Sequence, residues 1–252
     1  TITTTSYNTA VGQDAMGSGA GGQENTAIGF NAMKANTTGN ETVAVGSYAL
    51  AKNTTGVRNV ALGRQALYEN TGGDRNTAAG FEAMEANTTS DDNCAFGYHA
   101  LKSNTTGSQH VAFGVDALTN NTTGTINNAF GHNALHDNTE GDANCAIGRN
   151  TCYKNTTGDY NVALGYDALF YNTTSSNNIA IGHEALYNNT AGSNVAIGKQ
   201  AGKSITTGNS NTVMGHTTGD EITTGSNNLC LGYAAGSGSS PSGNLNTGSN
   251  TI

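Results

Sequence analysis

Apolar triplets recur along the chain at a fixed interval, each closed by a glycine: Thr9-Ala10-Val11, Thr26-Ala27-Ile28, Val43-Ala44-Val45 and onward. Taking that glycine as position zero gives residues 12, 29, 46, 63, 80, 97, 114, 131, 148, 165, 182, 198, 215 and 232. Every step is 17 residues except the 16 from 182 to 198. The unit reads G-x-x-A-L-x-x-N-T-T-G-x-x-N-V-A-I. Position 15 is Ala in 12 of 14 units, position 13 is Asn in 12 of 14, and position 16 is always apolar. So regular an internal repeat takes precedence over local secondary-structure signals. The N-V-A-I segment alternates as a strand does. Asn and Gly at the corners supply tight or left-handed backbone. A 17-residue unit is too short for a helical pair and predicts two short strands and two turns. Stacked in register about 4.8 Å apart, such units make an all-β parallel β-solenoid, or β-roll, of about fourteen coils. The repeat covers residues 1–236; residues 237–252 read as a Gly/Ser-rich loop or linker leading into a further partial repeat.

Facing follows from the alternation. With the large residues of positions 4, 14 and 16 turned inward, position 15 turns outward. That places a ladder of Ala27, Ala44, Ala61, Ala78, Ala95, Ala112, Ala129, Ala146, Ala163, Ala180 and Ala196 on the surface. An outward small apolar ladder predicts close packing against another chain. The opposite phasing, with alanine inside and large residues outside, demands a partner even more. Position 5 also points outward, and it stacks His136, Tyr153, Phe170 and Tyr187 on successive coils with Tyr171 beside them. These rings read either as a self-stabilising ladder or as a platform for a glycan or a neighbouring fibre.

Composition narrows the function classes. The chain has 35 Gly, one Pro, no Trp and a net charge of −8 with ten Lys and Arg, which argues against a nucleic-acid partner. No apolar run has the length of a membrane span, so membrane insertion is not expected. The four cysteines show no metal-ligand spacing and sit at apolar repeat positions; a Cys145–Cys152 bridge is the alternative to free thiols. No cofactor or metal is expected, because the six His are scattered and the calcium-binding nonapeptide signature is absent. Asp167 and Glu184, beside His183, fall on successive coils at the separation of a retaining glycosidase pair, yet position 2 is acidic in five of fourteen coils and reads as a solvated corner. No enzymatic activity is expected. Asn36, Asn53, Asn87, Asn104, Asn121, Asn155 and Asn172 sit in N-x-T sequons. Paired threonines in the "NTTG" corner also raise an ice-binding surface as a third reading.

The units "NVALGRQALYENTGG" and "NNIAIGHEALYNNTAGSNVAIG" resemble the head repeats of trimeric autotransporter adhesins and the repeat arrays of bacteriophage tail fibres. "SITTGNSNTVMG" and "TTGSNNLCLGYAAG" are similar to the same group. The resemblance covers residues 8–236; the coils here are longer, with "NTTG" filling the extra length. It implies a left-handed parallel β-roll, a homotrimer, and a non-enzymatic role in surface attachment or spacing, extracellular, at a cell surface or on a virion. A surface glycan or receptor is the implied ligand. A homopolymeric structural filament is the alternative: the sequence starts and stops in mid-repeat, so coils are expected to stack head to tail, within a longer chain or between subunits.

Overall fold

A computed structural model describes residues 2–3, 7–17 and 22–236. The expected loop or linker over 237–252 lies outside the described residues. Contacts divide the chain into two compact units, residues 1–126 and 127–252. In the first, β1 (Ile2–Thr3) precedes β2 (Thr9–Val11), β3 (Thr26–Ile28), β4 (Val43–Val45), β5 (Val60–Leu62), β6 (Thr77–Ala79), β7 (Cys94–Phe96) and β8 (Val111–Phe113). The second holds β9 (Asn128–Phe130), β10 (Cys145–Ile147), β11 (Val162–Leu164), β12 (Ile179–Ile181), β13 (Val195–Ile197), β14 (Thr212–Met214) and β15 (Leu229–Leu231). From β2 to β8, and again from β9 to β15, each strand pairs in parallel with the next, alanine opposite alanine as in Ala44↔Ala61 and Ala146↔Ala163, until Val213 and Cys230 take that place in β14 and β15. The fold is an all-β parallel β-solenoid with coils about 17 residues apart. β1 is the exception: it runs antiparallel along β2, with Ile2 opposite Val11 and Thr3 opposite Ala10.

Each coil has one strand, not the two expected. The A-L segment is a run of turns, because positions 2, 4 and 12 adopt left-handed backbone without glycine; in one coil these are Gln65 (φ 58°), Leu67 (φ 52°) and Arg75 (φ 56°). Such residues cost about 1–2 kcal/mol each relative to right-handed backbone. The coil-to-coil ladder offsets that cost: Leu67 N–H donates to Ala83 O at 3.0 Å, Gln65 N–H to Ser47 O at 3.0 Å, and Arg75 N–H to Val57 O at 3.0 Å.

The facing is the reverse of the expected one. Ala27, Ala44, Ala61, Ala78, Ala95, Ala112, Ala129, Ala146, Ala163, Ala180 and Ala196 are buried within the single chain, so they form its core and no seam. Positions 14 and 16 stand outward (the strands read half-buried or exposed, buried, exposed). The interior is narrow. Leu or Met at position 4, Ala at position 3 and two asparagine rows fill it, leaving room on the strand for a methyl group only.

Those asparagines are the answer to the repeated "NTTG". At position 7, Asn53 Nδ2 donates to Asn36 Oδ1 at 3.1 Å and to Gly56 O at 3.0 Å, closing its own turn and joining the coil before it. At position 13, Asn76 N–H donates to Asn59 Oδ1 at 2.9 Å, and Asn76 Nδ2 to Ser90 O at 2.7 Å. Buried amides need such partners, and the repeat supplies them from the neighbouring coils. The seven N-T-T asparagines named above, Asn36 through Asn172, all lie in the buried row. Their amide nitrogens are therefore inaccessible to glycosylation in the folded chain.

Candidate interaction surface

The outward strand face is an extended apolar surface built by the repeat. In the first unit its position-16 row runs Val11, Ile28, Val45, Leu62, Ala79, Phe96, Phe113. In the second it runs Phe130, Ile147, Leu164, Ile181, Ile197, Met214, Leu231. Phe113 is 56% exposed and Leu164 43%. Phe96 and Phe113 touch, ring centroids 5.7 Å apart. Position 14 adds Val162, Ile179 and Leu229, all exposed, in a row that also carries the polar Asn128 and Thr212. Beyond the glycine, position 1 widens the stripe with Phe81 stacked on Tyr98 at 5.5 Å and Tyr166 stacked on His183 at 5.4 Å. Arg64 and Arg149 lie over Phe81 and Tyr166, at 5.2 and 5.7 Å from the ring centroids. A solvated strand face alternates with polar residues; no polar residue occurs at position 16 in either unit. Sequence reasoning had this signal, the invariant apolar character of position 16, and assigned it to the core.

The ring ladder of the second unit is formed. His136 stacks on Tyr153 at 4.8 Å, Tyr153 on Phe170 at 5.2 Å and Phe170 on Tyr187 at 5.3 Å. Tyr171 meets Phe170 and Tyr187 edge-on. Stacking a sugar requires a free ring face, and the interior faces here are covered by the next ring. Lys203 covers the last, its Nζ 5.6 Å from the Tyr187 centroid. Asp137 ties the ladder's start, accepting from His136 Nδ1 at 2.6 Å and Lys154 Nζ at 2.9 Å. Burial pushes its carboxyl up, but the hydrogen bonds from Lys154 and His136 outweigh this and leave it below the ordinary range.

The remaining chemistry is absorbed into coil-to-coil contacts. Glu184 accepts from Gln200 Nε2 at 2.8 Å and Lys203 Nζ at 2.6 Å, which holds its carboxyl below the usual value. Asp167 accepts from Asn150 Nδ2 at 3.0 Å. A glycosidase acid needs a raised value, so Glu184 does not fit that role. The position-8 threonines turn their hydroxyls along the stack, as Thr54 Oγ1 does to Thr71 O at 2.8 Å, and do not form a free hydroxyl array. All four cysteines are free thiols, Cys152 inside the coil and Cys94 and Cys145 half-buried on the outward face. Among the described residues, no group of three or more His, Cys, Asp or Glu is placed to hold a metal.

No protein-family model matches the chain, and no curated protein matches it.

Proposed function

We propose that the chain is a non-enzymatic segment of an extracellular or virion fibre, which serves in surface attachment or spacing and assembles side by side with copies of itself, as a trimer. The observation that carries this reading is the unbroken apolar row at position 16, exposed or half-buried on the single chain. Withdrawing such a surface from water contributes roughly 25 cal/mol per Å², and a repeat lays it out at regular spacing along each unit. Similarity of the repeat to adhesin heads and phage fibres supports the same role. Head-to-tail polymerisation is less well supported, because β1 already occupies the outer edge of β2 on which a stacking partner would pair.

Light scattering on the purified chain tests the reading. The expected mass is a multiple of 25.6 kDa, three chains for the trimer. Phe113→Asp and Leu164→Asp, which place a charge on the stripe, are expected to shift it toward the single chain with the circular-dichroism spectrum unchanged. Thr38→Asp, on an exposed corner away from the stripe, is expected to leave the mass alone. A wild-type chain that stays at 25.6 kDa at micromolar concentration sinks the proposal.

A further inference from the structure

In the first unit, position 2 of three successive coils carries Glu82, His99 and Asp116. His99 Nε2 lies 3.1 Å from Glu82 Oε2, and its Nδ1 lies 3.3 Å from Asp116 Oδ1. The imidazole is thus bracketed by a carboxylate on each nitrogen, one from the coil before and one from the coil after. A neutral imidazole has a single N–H; only the imidazolium has two. The charged ring donates to both carboxylates at once, whereas the neutral ring sets a lone pair against one carboxylate oxygen.

The surroundings concentrate this effect. The His99 side chain is 21% exposed, with the Tyr98 ring centroid 3.7 Å from its own and Phe81 at 6.0 Å. Lys102 Nζ reaches Glu82 Oε2 at 2.6 Å and Glu85 Oε2 at 3.5 Å, and Arg64 reaches Glu82 at 3.4 Å. The charged groups around His99 are therefore Glu82 and Asp116 in contact, with Lys102, Arg64 and Glu85 behind Glu82.

We propose that Glu82, His99 and Asp116 form a pH-gated clamp across three coils, closed while His99 is an imidazolium and released as it loses its proton. Only the charged ring donates to both carboxylates, so the clamp's contribution is present in that form and lost in the neutral one. The lower bound of the window is set by the carboxylates. Glu82 stays ionised to lower pH than an ordinary glutamate, held there first by the hydrogen bond from Lys102.

Hydrogen exchange read by mass spectrometry on the full chain tests the clamp. The backbone amides of His99 and Asp116 bond to Phe81 O at 3.0 Å and Tyr98 O at 2.9 Å. Gln65, whose amide bonds to Ser47 O at 3.0 Å at the same repeat position, serves as the internal control. After correction for intrinsic exchange, protection at His99 and Asp116 relative to Gln65 is expected to fall about three- to tenfold between about pH 6 and about pH 8.5, the range expected for losing one hydrogen bond of ordinary net strength at a partly exposed site. His99→Gln is expected to abolish that differential, and Asp116→Asn to shrink it. A differential that survives either substitution unchanged, or is missing from the wild type, overturns the proposal.

Discussion

The glycine that closes each strand has two separate reasons to be glycine. Gly63 has φ 137°, a region open to few other residues, and a Cβ there would sit 2.3 Å from the Gly80 carbonyl oxygen of the next coil. That oxygen belongs to the stacked backbone and has nowhere to move. Gly63→Ala is therefore expected to cost about 2–4 kcal/mol, combining backbone strain with overpacking. Gly72 is the matched control. Its nearest neighbour to an added Cβ is the Thr55 Oγ1 at 3.3 Å, and Gly72→Ala is expected to stay within about 1 kcal/mol of wild type. Chemical denaturation of both variants decides the point; equal losses would show that close coil stacking is not what the closing glycine permits.

One element departs from the rest, and its departure explains the three that follow. The coil from Gly182 to Gly198 is one residue short at the corner. There Asn189 turns its amide to Ala191 O at 2.6 Å, and Asn172 Oδ1 is left buried without a donor. The position-7 amide row stops at this point. Ile205 and Ile222 take its place, and position 4, Leu, Met or Cys until Leu186, becomes Gly202 and Gly219. A Cβ on Gly202 would lie 2.9 Å from Ile205 Cδ1, so isoleucine from one side of the coil fills the space that leucine fills from the other. Val213, replacing the strand alanine, packs against the same two glycines. Ile205→Asn is expected to cost about 2–4 kcal/mol by emptying this core, and Gly202→Leu about 1–3 by overfilling it. Combined, with Val213→Ala, they restore the common coil and are expected to lose clearly less than the sum of the separate losses. Strict additivity in urea unfolding would break the exchange argument. The loss of leucine at position 4 was visible in the sequence, but not its compensation three residues on. The 17-residue period, the stacked coils and the Asn corners were legible because each is a regular spacing. Facing was not, since a three-residue strand alternates equally well in either phase. The volume argument pointed the wrong way because two buried asparagine rows narrow the interior. Left-handed positions 2 and 4 carry side chains such as Gln, Asp or Leu in most coils, with glycine at position 4 only at 202, 219 and 236, so the turn went unannounced and a second strand was expected in its place.

For the whole molecule, the proposed association through the outward stripe would have to overcome like charge. Eighteen acidic against ten basic residues leave each chain at −8, a repulsion that salt screens within about 10 Å at 0.1 M. An apolar seam should therefore hold, and tighten, as salt is raised, whereas a seam of ion pairs would loosen. The cysteines provide an independent view of the same surface. Cys94 and Cys145 occupy position 14 of their strands, on the outward face, while Cys152 fills position 4 of the interior. Burial, and after it Cys145, pushes the Cys152 thiol up, and burial does the same less strongly for Cys94 and Cys145. A small thiol reagent is expected to leave Cys152 unmodified in every native sample, since the reactive species is an accessible thiolate. Cys94 and Cys145 are expected to react slowly in the assembled wild type and about tenfold faster or more once Phe113→Asp and Leu164→Asp disperse it, a ratio equivalent to about 1.4 kcal/mol of protection. If both outer thiols react at one rate in assembled and dispersed chains, copies meet through some other face, and the position-16 row is not the surface that joins them.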